Sequence, residues 1–156
     1  RDVQKVYLAV VHGAPASPEG TIDFSIGDDR RSEVRLKLEA RSDGTGLSAL
    51  THYKTLRSNG RYSLVELYPK TGRTHQLRVH MSAIGCPLVG DKIYGGDESI
   101  FLEQLAGKLS DESKQKLVLD RHALHACRLR FFHPMRNEHV EIEAPLPQDM
   151  LALIDG

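Results

Sequence analysis

One stretch of the sequence, from Pro69 to Gly96, concentrates the side chains that could do chemistry. Within it, Gly72 lets the chain turn tightly into a helix start, where free backbone N–H groups beside Arg73 form a natural anion site. Helical spacing places three polar side chains near one face: His75, Arg78 and Ser82. If that face packs against a core, the guanidinium needs a carboxylate partner, because an unpaired buried charge is too costly. From spacing alone, the solvated face of an ordinary amphipathic helix is the favoured interpretation.

The histidines do not indicate a metal site. His75 and His80 are five residues apart, whereas a helical zinc pair needs a separation of four. Three further candidate ligands follow one another closely: His122, His125 and Cys127. A strand and a loop would not aim them at one point. Asp91 is interpreted as a carboxylate that fixes a turn or loop, not as a nucleophile. We therefore predict no metal and no cofactor.

The elements that must position these residues are mostly strands. Val3–Val11 is apolar on both faces, which predicts a central strand covered on both sides, with Tyr7 on it. Leu50–Leu56 and Tyr62–Tyr68 flank Ser58-Asn59-Gly60, a hairpin signal because Asn-Gly tolerates positive φ at both turn positions. The remaining predicted strands are Thr21–Ile26, Val34–Leu38, Leu124–Phe132 and Val140–Ala144.

Helices are predicted between the hairpins. Thr74–Ile84 has apolar residues at helical spacing, and Gly85 ends it. A second, exposed helix contains Leu102, Leu105 and Leu109, with Ser99 as its N-cap. A short terminal helix begins near Pro147. Because helices are inserted between antiparallel hairpins and do not alternate with parallel strands, the expected fold class is α+β with a mixed, mainly antiparallel sheet.

Composition limits the classes of protein to consider. The 156 residues suit a single domain, and the longest apolar runs are only a few residues, too short for a transmembrane helix. Cys86 and Cys127 form no C-x-x-C pair, which favours a reduced, cytoplasmic protein. The zero net charge argues mildly against nucleic-acid binding. However, Lys70–Lys92 holds four lysines and arginines against one acid, Asp91, and so allows a local basic face.

Three segments carry a family resemblance. GRTHQLRVHMSAIGCPLVGDKIYGG (Gly72–Gly96) is similar, nearly residue for residue, to the motif of RluA-type RNA pseudouridine synthases. KVYLAVVHG (Lys5–Gly13) resembles the tyrosine-bearing strand of that family. ALHACRLRFFHP (Ala123–Pro134), followed by EAPLPQDM (Glu143–Met150), resembles its C-terminal hallmark. The segments occur in the family's order, so the resemblance covers nearly the whole chain and implies a pseudouridine-synthase-like fold.

The resemblance implies roles for individual residues. Tyr7 matches the active-site tyrosine that stacks on the target uracil and has been assigned a proton-transfer role. Arg78 matches the arginine that pairs with the catalytic aspartate. Motif position further implies residues that shape the site or bind substrate and RNA: Arg73, His75, Gln76, Leu124 and His125. Arg73 and Lys92 are expected to face phosphates, and Lys92 stands where the family often has proline.

The implied function is an isomerase that converts uridine to pseudouridine in structured RNA, with large-subunit ribosomal RNA favoured and tRNA as the alternative. A non-catalytic RNA-binding module and an unrelated hydrolase or metal protein are the competing classes. The expected partner is RNA and not a membrane, and the protein is expected to be a monomer.

One expected motif is absent. The family's nucleophile lies in a segment of the form HRLDxxTSG, which precedes the tyrosine strand and does not occur in these residues. Asp2 lies beside that strand but outside any such motif, and it is not a candidate. Residues 1–156 are therefore interpreted as one domain that forms the C-terminal major part of a synthase catalytic domain. The N-terminal part with the nucleophile is expected to be missing, and these residues alone are predicted to be inactive.

Overall fold

The computed structural model describes residues 3–156, so Asp2 lies outside the described residues. Within them the helices and strands are, in order, β1 (Gln4–His12), β2 (Glu19–Ile22), β3 (Ser25–Asp28), β4 (Leu38–Arg41), β5 (Thr51–Ser58), β6 (Tyr62–Pro69), α1 (Gln76–Ala83), α2 (Ser99–Leu105), α3 (Asp111–Leu117), β7 (Leu124–His133), β8 (Glu138–Glu143) and α4 (Gln148–Asp155). Strands form the scaffold, and the helices lie between or after them.

A six-stranded sheet in the order β2-β5-β6-β1-β7-β8 is the main structure. Every neighbouring pair in it is antiparallel, and β3 pairs with β4 in a separate small sheet. The expected α+β class with a mainly antiparallel sheet is confirmed. The central position predicted for the first strand is also confirmed, because β1 pairs with β6 on one side and β7 on the other.

Alternating side chains of the central strands build two separate cores. On one face, Ala9 and Val11 of β1 pack with Leu67 of β6 and with Leu77 and Met81 of α1. Residues of the other face pack against α4, and the buried members of this cluster include Val10, Leu64, Met150 and Ile154. Residues one position apart on β1 therefore face different helices. This alternation decides which side chains reach the α1 face, where Tyr7 lies.

Two strand predictions are wrong in their bounds. The predicted strand Thr21–Ile26 is divided between the two sheets, since β2 ends at Ile22 and β3 begins at Ser25. The Phe24 carbonyl between them accepts a hydrogen bond from His80. The predicted strand Val34–Leu38 is a turn up to Lys37, and β4 begins only at Leu38. Glu98 holds this turn by accepting hydrogen bonds from Ser32 and from the Lys37 ammonium group. Alternation had suggested a strand where long-range side-chain contacts stabilise a turn.

The helix and hairpin predictions need smaller corrections. The helix expected over Thr74–Ile84 is shorter, since α1 begins at Gln76. Ser99 is the first residue of α2 and not its N-cap. The hairpin at Asn59-Gly60 is confirmed, but only Gly60 has a positive φ among these two residues. The Asn59 side chain instead accepts two backbone N–H groups, so an Asx-type turn replaces the expected geometry.

Helix α3 was not predicted. Its N-cap is Ser110, whose hydroxyl accepts a hydrogen bond from the Ser113 backbone N–H. Only Ser113 and Leu117 are buried on it, so its sequence shows little apolar periodicity.

Candidate active site

A cleft of about 600 Å³ opens between the N-terminal end of β1 and the segment that leads from β6 into α1. The residues that line it are Val3, Lys5, Tyr7, Pro69, Lys70, Thr71, Gly72, Arg73, His75, Gln76, Leu77, Arg78, His122 and Leu124. Six of the eight residues that the sequence assigned to the site lie on this lining: Tyr7, Arg73, His75, Gln76, Arg78 and Leu124. Residues separated by more than 100 positions are thus brought to one cavity.

Tyr7 reaches the cleft from the centre of the sheet. It is half-buried, and it pairs with Leu67 of β6 and with Ala126 of β7. The register between β1 and β7 shifts between Val6 and Tyr7, a local irregularity of the kind that redirects side chains next to active sites. Leu124 of β7 packs against the same apolar cluster as Tyr7. An aromatic ring and an aliphatic side chain therefore belong to the apolar part of the cleft, together with Val3, Pro69 and Leu77.

Arg78 is held in place by Asp91. Its Nε and Nη2 donate to the two carboxylate oxygens at 2.7 and 2.8 Å, and the exposed fractions of the two side chains are 12% and 0%. The guanidinium also lies 4.9 Å from the centroid of the Tyr94 ring. The sequence requirement for a carboxylate partner of Arg78 is met by this pair. Bidentate geometry fixes both the position and the orientation of the guanidinium.

Asp91 also fixes its own loop. The backbone N–H groups of Ile93 and Tyr94 both donate to one carboxylate oxygen at 3.0 Å. This confirms the interpretation of Asp91 as a loop-fixing carboxylate. Burial alone would raise the pKa of Asp91, but the hydrogen bonds and charge of Arg78, aided by these two N–H groups, hold it below its ordinary value. The carboxylate is therefore ionised at neutral pH.

His75 is bound to Tyr94 in a strained backbone conformation. Its Nδ1 lies 2.9 Å from the Tyr94 hydroxyl, which in turn accepts a hydrogen bond from the Leu38 backbone N–H. Burial and the nearby charge of Arg78 lower the pKa of His75, so the ring is neutral at neutral pH and forms one hydrogen bond with the Tyr94 hydroxyl through Nδ1. His75 has a φ of 54°, which is unusual for a residue with a Cβ. Such conformations persist where the surrounding contacts enforce them.

Gln76 holds the loop that carries Arg73. Its side chain is buried, and its Oε1 accepts hydrogen bonds from the Thr71 hydroxyl at 2.7 Å and from the Arg73 backbone N–H at 3.0 Å. Its Nε2 donates to the Leu50 carbonyl and to the Thr51 hydroxyl oxygen, both at 3.0 Å. The two acceptor positions of Oε1 and the two N–H donors of Nε2 are thus all bound within the chain. Direct contact of Gln76 with RNA stays a prediction, and the contacts observed here position the loop.

The expected anion site at the helix start is only partly available. The Arg73 backbone N–H is already bound by Gln76, and the Arg73 Nε donates to the Ser48 carbonyl at 2.9 Å. The rest of the exposed guanidinium is available to an anion, with the exposed Lys5 and Lys70 on the same cleft lining. These three side chains give the rim of the cleft its positive charge.

The structure separates two predicted residues from the cleft. His125 pairs with Leu8, one position away from the pair of Leu124 with Ala9, so its side chain points to the opposite face of the sheet. There its Nε2 lies 3.1 Å from the Ala144 carbonyl. Lys92 is not on the cleft lining, and its ammonium group donates to the Asp120 carbonyl at 2.5 Å. Binding of RNA by these two residues stays a prediction without support from the cleft geometry.

Four polar residues of the lining were not among the predicted site residues: Lys5, Lys70, Thr71 and His122. Lys5 could have been found, because it is two residues before Tyr7 and so faces the same side of the strand. Burial, and after it the charge of Arg78, lowers the pKa of His122, so this ring is neutral in the cleft. Its placement depends on the turn before β7, for which the sequence contains no periodic signal.

Two further observations concern the described part of the chain. Within residues 3–156, no three side chains of histidine, cysteine, aspartate or glutamate lie close enough together to hold a metal ion. No helix in this range has both the length and the apolar character to cross a membrane.

Comparisons with known proteins bear on this arrangement. The profile described as RNA pseudouridylate synthase matches residues 1–83. The RNA pseudouridine synthase YlyB of Bacillus subtilis is 40% identical over 156 residues, which are 100% of this chain and 45% of that protein. The ribosomal large subunit pseudouridine synthase D of Zymomonas mobilis is 40% identical over 151 residues, which are 97% of this chain and 44% of that protein. The chain spans about half the length of these relatives.

Solved structures agree with the sequence comparisons. Human RNA pseudouridylate synthase domain containing 1 matches with a TM-score of 0.69 and 31% identity over 92% of this chain and 54% of that chain. Human RNA pseudouridylate synthase domain containing 4 matches with a TM-score of 0.68 and 27% identity over 96% of this chain and 60% of that chain. The resemblance found in the motifs is confirmed, and this chain belongs to the RNA pseudouridylate synthase family.

Proposed function

We propose that the protein is an RNA pseudouridine synthase, an isomerase that converts uridine to pseudouridine in structured RNA without a metal or cofactor. The observation that carries the proposal is the cleft in which the Tyr7 ring, Leu124 and the fixed guanidinium of Arg78 meet. An aromatic face and an aliphatic side chain suit a uracil base, and a cationic rim suits the phosphates on either side of it. A uridine within folded RNA would be extruded into this cleft.

The reaction exchanges one bond for another. The bond between N1 of uracil and C1′ of ribose breaks, the base rotates, and a bond forms between C5 and C1′. The proton on C5 is then lost, and N1 gains a proton, so no oxidant or reductant is required. In this proposal Tyr7 stacks on the base and moves a proton, while Leu124 packs beneath it. A carboxylate nucleophile holds the sugar or base during the rotation.

Arg78 is proposed to keep that nucleophile ionised and aimed. Asp91 occupies its Nε and Nη2, which leaves Nη1 for a second carboxylate. We propose that this carboxylate is the aspartate of an HRLDxxTSG segment, which is not among residues 1–156. For this reason these residues alone are predicted to form no pseudouridine. His75 and Gln76 are proposed to shape the site, and Arg73 to hold the RNA backbone.

Large-subunit ribosomal RNA is the favoured substrate, and tRNA is the alternative. The preference is supported by the names of relatives such as ribosomal large subunit pseudouridine synthase D from Xanthomonas campestris, which is 41% identical over 161 residues. We further propose that the protein acts as a monomer in the cytoplasm, a reducing compartment that its two free cysteines suit.

The experiment is a tritium-release assay with the full reading frame. Transcribed large-subunit ribosomal RNA and transcribed tRNA, each labelled with tritium at C5 of uridine, would be incubated with the purified protein. Formation of the C5–C1′ bond releases the label to water, and mass spectrometry of the digested RNA locates the product. We expect release from ribosomal RNA and none with residues 1–156 alone. Turnover by these 156 residues would show that the nucleophile lies within them.

Arg78→Met is the matched variant for this assay. It should abolish release while leaving much of the RNA affinity, because phosphate contacts elsewhere carry most of the binding. Arg78→Lys should restore little activity, because a point charge cannot reproduce the bidentate fork. RNA binding without any tritium release by the unaltered protein would instead support a non-catalytic RNA-binding module. Full activity of Arg78→Met would contradict the assignment of the site.

A further inference from the structure

A second groove, of about 480 Å³, lies on the opposite face of the sheet and continues from the cleft. Val3, Lys5, Pro69 and Lys70 line both cavities, so the two meet at the end of the sheet. From there the groove crosses β1, β7 and β8 on the side away from Tyr7. Its further lining includes Tyr68, Arg128, Arg130 and Glu141.

Strand register puts the two arginines on this face. Arg128 pairs with Val6, and Arg130 pairs with Gln4, whereas Tyr7 is directed to the α1 side. Neighbouring strands are about 4.8 Å apart, and residues two positions apart on a strand are separated by about 6.6 Å. The cations of the groove therefore form a short track from the mouth of the cleft and not a single point of charge.

The lining of the groove is cationic in a chain without net charge, although two carboxylates just outside it, Glu66 and Glu143, are bound to Tyr68 and Arg128. Its lining contains Lys5, Lys70, Arg128 and Arg130 against one carboxylate, Glu141, whereas the whole chain has 21 basic and 21 acidic residues. Arg128 is paired with Glu143 at 2.9 Å. Arg130 is exposed and lies opposite Glu141 in the register, yet among residues 3–156 no carboxylate oxygen lies within ion-pairing distance of its guanidinium. Its charge is thus available to a ligand.

Tyr68 adds a partly exposed aromatic ring to these charges. Its hydroxyl donates to Glu66, and burial together with this carboxylate raises the pKa of Tyr68 to about 12, so the ring stays uncharged at neutral pH. Aromatic rings beside a cationic track are the usual means of binding single-stranded nucleic acid, because each base has a face that can stack. The combination favours RNA over an acidic protein segment, to which a stacking ring contributes less.

From these contacts we infer that the groove binds the phosphates of the RNA strand next to the target nucleotide, as that strand passes around the end of the sheet. The inference rests on the proposed function, because it takes the RNA whose uridine enters the cleft as the ligand. Lys5 and Lys70 would hold the strand where it leaves the cleft, and Arg128 and Arg130 would hold it farther along. Glu141 opposes binding by its charge.

The test is the salt dependence of RNA binding by the full-length protein, with transcribed large-subunit ribosomal RNA as the probe and salt varied from about 50 to 200 mM. Arg130→Gln should weaken binding and reduce the slope of log K against log salt by about 0.7 to 0.9, the value for one lost phosphate contact. Glu141→Gln should tighten binding, because it removes the one carboxylate of the lining. Lys108→Gln, at an exposed position outside both cavities, is the control and should change neither quantity.

The outcomes separate this inference from the proposed function. If tritium is released normally and both Arg130→Gln and Glu141→Gln bind RNA as the unaltered protein does, the groove is not part of the RNA path. The same holds if Lys108→Gln lowers the slope as much as Arg130→Gln, since the effect would then be one of overall charge. If no tritium is released but the opposite effects of the two groove variants are seen, the groove is supported and the proposed activity is wrong. Thermal unfolding of each variant checks that the fold is retained.

Discussion

The cleft on the α1 side and the groove on the opposite face both present arginines, but they hold them in different ways. Arg78 in the cleft is 12% exposed and bound by two hydrogen bonds to a fully buried carboxylate. Arg128 in the groove is 41% exposed and bound through one nitrogen to Glu143, which is itself largely exposed. One arginine has a single orientation, whereas the other can adjust to a ligand.

This difference in burial predicts a difference in task. A buried pair loses much of its hydration, so its geometry must be near ideal and the loss of one partner is costly. An exposed charge is screened by water and salt and contributes mainly to long-range attraction. Changes in the cleft should therefore have large effects on stability and turnover. Changes in the groove and at the rim should have small effects on affinity that vary with salt.

The largest effect is expected from Asp91→Ala. It leaves the Arg78 guanidinium buried without a partner and removes the acceptor of the Ile93 and Tyr94 N–H groups. The free energy of unfolding should fall by about 3 to 5 kcal/mol, as measured by denaturant titration. Asp111→Asn, on an exposed helix start, should leave the unfolding curve unchanged. An Asp91→Ala variant as stable as the parent would show that the buried Arg78–Asp91 pair contributes no more to stability than an exposed pair such as that of Arg128 and Glu143.

Tyr7→Phe should have the next largest effect, and on turnover alone. The substitution keeps the stacking ring and removes the hydroxyl, so the fold should be retained. If the hydroxyl moves a proton, the single-turnover rate of the full-length protein should fall by about 10² to 10⁴. Tyr53→Phe, at a tyrosine of β5 that lies on neither cavity lining, is the matched control and should leave this rate unchanged at saturating RNA. A nearly normal rate for Tyr7→Phe would reduce Tyr7 to a stacking surface.

Acid should destabilise the α1 side through His80. This ring is fully buried, with Nδ1 at 3.0 Å from the Thr51 hydroxyl and Nε2 at 2.9 Å from the Phe24 carbonyl. Burial lowers the pKa of His80 below its ordinary 6.5, so the folded state binds this proton less readily than the unfolded chain. The neutral His80 ring makes its full contribution to the free energy of unfolding above pH 6.5. This contribution is lost progressively as the pH falls below that value. Unfolding free energies measured between pH 7.5 and 5 should show the decline, and His80→Gln should make it shallower.

An unchanged slope in His80→Gln would assign the acid sensitivity to other groups. His75 and His122 of the cleft are the relevant ones, because the pKa of each is also lowered, first of all by burial. The exposed His139 of β8 serves as the control position. In the variant with glutamine at this position the decline should persist, because His80 is intact.

The smallest effects are expected at the rim. Arg73 lies on the cleft lining, so Arg73→Gln should reduce the salt slope of RNA binding by about one. Lys92 is off the lining and bound to the Asp120 carbonyl, so Lys92→Gln should reduce the slope less. If both variants bind RNA with the same salt slope as the parent, the RNA does not contact this rim. A larger effect at Lys92 would extend the path toward α3.

Local patterns in the sequence predicted most of the scaffold. The two-sided apolar pattern of β1, the Asn59-Gly60 hairpin and the helical spacing of Leu77 and Met81 all correspond to observed elements. Where prediction failed, contacts between distant residues override the local pattern. The residues before Lys37 alternate as in a strand, but Glu98 closes them into a turn. Helix α3 buries too few side chains to leave a periodic signal.

The same division applies to the site. The family resemblance implied Tyr7, Arg78 and Leu124 as members of one site, because each lies in a short motif that can be matched locally. The structure places all three on the cleft lining. The sequence also required that Arg78 have a carboxylate partner, since a buried charge without one is too costly. Burial energetics alone do not select that partner. Asp91 is the partner because the loop after α1 folds back onto Arg78, which lies thirteen residues earlier in the chain.

Folding also assigned the remaining roles. The amide of Gln76 faces inward because Leu50 and Thr51 of the neighbouring segment supply its partners. His125 faces away from the cleft because it is one position from Leu124 on a strand whose side chains alternate between faces. Chemistry that depends on one segment can be predicted from residue spacing. Chemistry that depends on which distant groups meet requires the three-dimensional structure, because pairing across the sheet and loop closure are not encoded in any local period.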